Sequence, residues 1–389
     1  MSDLLTKNGA LDLIGFGALI GQGTHTKRMA DDDPMRKNPR LEFDLGKLRQ
    51  NVKTILNLCL ARGIEVVGVT KGFAALSEIA RVMVDGGIQI IGDSRLENIS
   101  ALREANIQAE MMLIRIPMIH EVDLVVQLSD CSLNSEITVI QKLADAAIKQ
   151  NKIHDIILMV ELGDLREGLL PEEALSAVKT INTLQGVRLK GLGGNFNCIS
   201  GIEPTADKLN EFVALAVKIE NELGIQLEIL SGGNTSSLAL VVNDTIPERI
   251  NQLRIGEGIL LGHTDIFTNL EKTYQDAGML IAEVIELKQK ESMPKGSIAR
   301  DSFGELPKFK ANGLRKRAIL AIGKQDIYPA HLKPLDPNIT VIAASSDHLV
   351  VDVTESTTAF QVGDEIRFIP TYPGILSLCT SKYVTVYTN

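Results

Sequence analysis

Between Leu41 and Gly233 the chain repeats one unit, a short apolar run followed by a longer segment with apolar residues at helical spacing. The runs are LEFDL, EVVGV, IQIIG, MMLIR, CSLN, DIILMVEL, LKGLGG and LEILSG, and segments such as Leu48–Arg62, Ala174–Leu184 and Lys208–Leu223 carry the helical pattern. Strands joined through helices lie parallel to one another, and eight such units suit a sheet that closes on itself. The expected fold is therefore α/β, a (β/α)8 TIM-like barrel. After about residue 270 the texture changes. GMLIAEVIELKQ, RAILAIG, ITVIAASSDHLVVDV, DEIRFI and YVTVY alternate with Gly, Pro and Asp turns and lack helical segments between them, which predicts a C-terminal all-β domain. The expected division is an N-terminal extension over 1–38, a barrel over 39–265 and a β domain over 266–389.

At 389 residues and 44% hydrophobic, the chain is long enough for two cores. Its formal charge of −9, with no clustered basic face, argues against nucleic acid and for a small-molecule partner. No apolar run approaches the roughly 20 residues that span a bilayer. The opening MSDLLTKNGALD has no basic region leading into an apolar block, so the expected location is cytoplasmic, away from membranes. Cys59, Cys131, Cys198 and Cys379 form no paired spacing, and the histidines show no ligand spacing, so reduced thiols and no metal are expected. The glycine-rich GFGALIGQG is not preceded by a strand, nor followed about 20 residues later by a strand and an acidic residue. It is read as a loop or packing element.

Barrels of this kind build their sites where the strands end. The residues in that position are Lys71, Asp93, Arg115, the Glu161–Arg166 stretch, Asn195 and the loop SGGNTSS at 231–237. The small residues and hydroxyls of that loop suit a phosphate. A lysine across the mouth from a phosphate cradle is what pyridoxal phosphate chemistry requires, an amine for the aldehyde and an anchor for the cofactor.

The motifs VTKG, IGDSRLENI, ELGDLREGLLP, GLGGNFNC, SGGNTSSL, LRIGEGILLG, IGKQD, SSDHLVVD and TSKYV occur in an order that resembles the alanine racemase fold, and most closely its ornithine racemase-type members. The resemblance covers roughly residues 40–389. It implies a pyridoxal phosphate-dependent amino-acid racemase, with Lys71 as the Schiff-base lysine that also moves the α-proton on one face. It implies Arg166 at the substrate carboxylate, Arg254 at the pyridine nitrogen, and Thr235 with the backbone N–H groups of Gly256 and Glu257 at the phosphate. Asn195, Ser231, Gly233 and Asn234 are expected beside the cofactor. An arginine only donates hydrogen bonds, so it would hold the pyridine nitrogen unprotonated and favour return of the proton to Cα over transamination.

The sequence departs from the family at two points. Where alanine racemases carry Gly-Tyr-x-Asp, supplying a second acid/base from the partner subunit, this chain reads Gly323-Lys324-Gln325-Asp326. Lys324 takes the tyrosine's place, with Cys379 and the Asp347/His348 pair as competitors; the pair is favoured because an imidazole titrates near neutrality unaided. After Lys71, GFAA has no tyrosine for the phosphate, and Tyr383 or Ser381 is expected to supply that contact.

The implied assembly is a head-to-tail homodimer acting on ornithine or another basic amino acid, with Glu161, Asp164 and Asp93 available to a side-chain ammonium. Two alternatives stand beside it. One is a D-threonine aldolase-like lyase using a metal at His348 and Asp347, and the other a non-catalytic pyridoxal phosphate carrier. Arg166 beside Asp164 and Glu167 also fits a plain surface ion pair.

Overall fold

The computed structural model describes residues 37–264 and 269–389, so GFGALIGQG and the rest of 1–36 lie outside the described residues. The strands are β1 (Arg40–Phe43), β2 (Glu65–Val69), β3 (Ile90–Asp93), β4 (Glu110–Leu113), β5 (Cys131–Asn134), β6 (His154–Met159), β7 (Val187–Gly193), β8 (Ile229–Ser231) and β9 (Gln252–Ile255). They continue with β10 (Gly278–Glu291), β11 (Leu314–Leu320), β12 (Leu332–Pro334), β13 (Thr340–Ala344), β14 (Leu349–Asp352), β15 (Glu365–Pro370) and β16 (Thr385–Thr388).

Strands β2 to β9 pair in parallel in sequence order, and β9 closes onto β2 with Arg254 opposite Val67. Val67, Ile90, Met112, Leu133, Ile157 and Met159 fill the interior, so the barrel is a packed core with its working end at the strand C-termini. A larger apolar core packs the helices onto the outer strand faces and continues into the β domain, where Leu280, Phe368 and Ile375 join it. No helix among the described residues is long and apolar enough to cross a membrane.

One expected barrel strand is corrected and one is added. LEFDL is not in the barrel, because β1 pairs antiparallel with β10 and parallel with β16 in the β domain. It imitated a strand-helix unit because Asp44 caps the helix Leu45–Leu60, accepting the Lys47 N–H at 2.9 Å, immediately after the run. The first barrel strand is EVVGV, and the eighth is QLRI, which carries two buried polar side chains and is followed by a helix of only five residues. The barrel therefore starts with the helix at Leu45 rather than at residue 39.

The β domain orders its main sheet β12-β15-β10-β11-β14-β13, with β1 added alongside β10 and β16 beyond β1. It was expected to lack helices, yet Tyr372–Thr380 forms one between β15 and β16 and packs against the turn at Lys71. Pro373 and Gly374 made this segment look like a turn, although proline is well tolerated in a helix's first turn.

Candidate active site

Val67 lies in the barrel interior, Val69 two residues on lines a cavity at the mouth, and Lys71 follows on the same side. A short 3₁₀ turn, Lys71–Phe73, then carries the chain away through Ala74 and Ala75 at φ 49° and 55°. Positive φ at two successive alanines is strained, and the surroundings hold it. Thr70 donates its hydroxyl to Asp93 at 2.6 Å, and Asp93 also accepts from the Arg95 N–H and from Asn98, both at 2.9 Å. Burial raises the Asp93 pKa despite these donors.

The Lys71 amine forms no hydrogen bond or ion pair among the described residues. Burial lowers its pKa; the charges of Arg166 and Arg254 act in the same direction, against Cys198 and Asp93. Such an amine is more readily deprotonated than an ordinary lysine, as a nucleophile for an aldehyde must be.

The cavity of about 390 Å³ has a volume suited to a small ligand. Arg254 reaches it from β9, buried, donating to Ser231 Oγ at 2.6 Å and to the Gly194 carbonyl at 2.8 Å. Burial pushes its pKa down to about 10, leaving it protonated at neutral pH. Its hydrogen-bond partners are a hydroxyl and a carbonyl, so the guanidinium charge is without a bonded carboxylate. A buried guanidinium without a bonded carboxylate suits the cavity to an anionic ligand.

The loops after β8 and β9 meet beside them. Gly233 has φ 116°, and a Cβ there would stand 2.6 Å from Ser237 Oγ. At Gly256 a Cβ would come within 2.9 Å of the Val69 carbonyl, so the two loops approach the mouth more closely than side chains would permit. The Gly258 N–H donates to Thr235 Oγ1 at 3.1 Å, tying one loop to the other. Asn234 and Asn195 line the same wall.

Arg166 sits on an excursion from β6 closed by paired backbone bonds, Glu161 N–H to the Leu169 carbonyl and Leu169 N–H to the Met159 carbonyl, both 2.9 Å. Asp164, 2% exposed, accepts from Asn195 at 2.8 Å and from the N–H groups of Cys198, Ile199 and Ser200 at 3.1, 3.3 and 3.4 Å. Burial would raise its pKa, and these donors outweigh it and hold the carboxyl low. Asp164 thus fastens the Arg166 loop to the loop after β7. Asp164→Ala is expected to raise KM about tenfold with kcat little changed, because Arg166 loses its fixed position; steady-state kinetics beside a melting curve would check it.

Lys71, Arg166, Asn195, Asn234, Thr235, Arg254, Gly256 and Glu257, all expected from sequence, line this one cavity. Ser231 and Gly233 stand behind Arg254, Ser231 by its hydroxyl and Gly233 by accepting the Arg254 N–H at 3.0 Å. The expected phosphate contact is corrected. Tyr383 is 53% exposed and outside the cavity lining, and Ser381 donates to Asp326 at 2.6 Å. Tyr372 lines the cavity instead, so close to the Lys71 turn that a Cβ on Gly72 would lie 2.9 Å from its ring. A second correction concerns Asp93, Glu161 and Asp164. All three are occupied by neighbouring donors, Glu161 taking the N–H groups of Gly163 and Arg166, and none lines the cavity.

Lys324, Asp347 and His348 are not in this chain's cavity lining; they lie together on the β domain. The Lys324 N–H donates to the Ser345 carbonyl at 2.8 Å, and Gly323 abuts the Ser346–Asp347 backbone. The Lys324 amine lies over the Phe303 ring at 4.1 Å and pairs with Glu305 at 3.2 Å and Asp301 at 3.5 Å. Burial would lower its pKa, but the two carboxylates outweigh that and raise it. Cys379 is buried, which raises its thiol pKa well above the usual range.

The family model of the alanine racemase N-terminal domain matches residues 43–263, a segment that carries every expected residue of the cavity. The chain belongs to the alanine racemase family. Within this family, ornithine racemase of Acetoanaerobium sticklandii is 39% identical over 348 residues, 89% of this chain and 98% of that protein. Lysine racemase of Thermotoga maritima is 40% identical over 348 residues, 89% of this chain and 97% of that protein. The solved alanine racemase of Clostridium difficile 630 shares the fold at TM-score 0.71 and 18% identity, covering 91% of this chain and 97% of its own. Kinship to racemases over nearly the full length makes this alanine racemase family member an amino-acid racemase.

Proposed function

We propose that the protein is a pyridoxal phosphate-dependent racemase of a basic amino acid, ornithine first, working as a head-to-tail homodimer. The observation that carries this is the unpaired Lys71 amine beside Arg254, a buried cation without a bonded carboxylate. These residues fit the cofactor: an amine of lowered pKa suits its aldehyde, and the converging loops at Gly233 and Gly256 leave backbone exposed to its phosphate. When bound, the cofactor supplies an electron sink that acidifies the substrate Cα–H.

The chain's own residues do the rest. Lys71 would hold the aldehyde carbon and would move the α-proton at Nζ on one face. Arg254, its plane set by Ser231 and Gly194, would donate to the pyridine nitrogen. Arg166 receives the substrate carboxylate, and Asp164 holds Arg166 in place. For the opposite face, Lys324 is a poor base, because Glu305 and Asp301 keep its proton on. That leaves His348, with Asp347, as the favoured acid/base, delivered by a second copy's β domain at the cavity mouth. The aldolase alternative asks those two residues to hold a metal, and no cluster of three His, Cys, Asp or Glu ligands occurs among the described residues.

The test is an absorbance spectrum with pyridoxal phosphate, then L-amino acids in deuterated water with Cα exchange read by NMR. A cofactor band with exchange and loss of optical activity on ornithine or lysine is expected. A band without exchange would overturn the racemase reading in favour of a carrier, and no band would overturn the cofactor.

A further inference from the structure

A basic amino acid brings a second ammonium into a cavity whose lining already holds Lys71, Arg115, Arg166 and Arg254. It needs a carboxylate there. Two line the cavity, Glu167 and Glu257. Glu257 opens the short helix after β9, adjoining Gly256 on the loop assigned to the phosphate. Glu167 stands on the opposite loop, next to Arg166.

Glu167 has a particular engagement. Its two oxygens take Arg166 Nε and Nη2, so the carboxylate caps the guanidinium fork in the bidentate way an α-carboxylate would. Glu167 is only 16% exposed at its side chain, and its charge also reaches Arg254, so it faces into the site rather than away from it. The Nε/Nη2 edge of Arg166 bonds one carboxylate at a time, so a substrate carboxylate that uses that edge takes Glu167's place. The displaced carboxylate is then left part-buried without its partner. A neutral amino acid brings the replacing carboxylate and nothing for Glu167. A basic one brings both, since its own side-chain ammonium can take the freed oxygens.

We infer that Glu167 is the specificity residue of this site, receiving the side-chain ammonium of a basic substrate after that substrate's α-carboxylate has displaced it from Arg166. This rests on the reading of Arg166 as the carboxylate receptor. Recognition is then coupled, because each end of the substrate makes the other end's partner available. A pocket built to bond a polar group rejects the analogue lacking that group far more strongly than one that only measures its size.

The test compares ornithine with norvaline, which has the same carbon chain without the amine, by titration calorimetry on the pyridoxal phosphate-loaded protein, with racemisation followed in parallel. Wild type is expected to bind ornithine at least about 100-fold more tightly than norvaline. In Glu167→Gln that preference should fall below about threefold, with norvaline bound severalfold more tightly because its carboxylate no longer competes at Arg166. Glu167→Asp, which keeps the charge, should recover part of the preference and guards against a folding defect in the first variant. A preference that survives Glu167→Gln, or equal weakening of both ligands, overturns the inference. Ornithine preference that depends on Glu167 in a protein that racemises neither compound would uphold the inference and sink the racemase reading alone; a wild type without the preference sinks the inference whatever the activity.

Discussion

Lys71→Ala is expected to give a folded protein that binds pyridoxal phosphate only reversibly and racemises at least about 10⁴-fold more slowly. The loss is large because one residue is asked to hold the cofactor and to move the proton. The fold should be untouched, since the amine makes no hydrogen bond or ion pair among the described residues. Removing a buried cation of lowered pKa should leave the melting temperature equal or slightly higher. Dialysis, an absorbance spectrum and a thermal melt would decide it. A covalent cofactor band that persists in the variant would mean that another amine does this work.

The largest effect on stability is expected from pH. His154 opens β6 with 2% exposure, its Nε2 2.8 Å from Ser132 Oγ, and burial lowers its pKa from 6.5 to about 4. As pH falls below 6.5 the unfolded chain takes up this proton while the folded protein does not, so stability present above 6.5 is lost on the way down to about 4. The loss amounts to about 3 kcal/mol, a sizeable share of a domain's stability. Denaturant melts between pH 7 and 4.5 should show it, and His154→Gln should flatten the curve over that interval. If wild type and variant run parallel, His154 is not the group responsible.

The barrel was readable because strands buried on both faces appear as apolar runs, each followed by a helix of ordinary length. QLRI escaped because Gln252 and Arg254 put two polar residues into a buried strand, and LEFDL intruded because a capped helix happens to follow it. The same Arg254 was nevertheless identified as a site residue through its motif, so a residue that spoiled the strand pattern marked the chemistry. Lys71, Thr235 and Arg166 were accessible because their place after a strand nearly determines where they lie. Tyr372 was not, since its approach to the mouth depends on the β domain docking across more than 300 residues of chain, a long-range packing event with no local pattern. The occupation of Asp93, Glu161 and Asp164 was equally hidden. A carboxylate at a strand end looks the same in sequence whether it faces a ligand or a ring of backbone N–H groups.

The placement of β1 bears on how substrate enters. The strand lies between β10 and β16, Leu45 donates its N–H to the Asn389 carbonyl at 3.0 Å, and Asn389 donates back to Phe43 at 2.9 Å. The chain therefore crosses between sheet and barrel twice, once at 43–45 and again between β9 and β10. Two separate connections restrain rotation of the sheet against the barrel more than a single one would. Access to Lys71 is then expected to turn on side chains and the Arg166 loop exchanging partners, on the nanosecond-to-microsecond scale of such local motions rather than the slower scale of domain rotation.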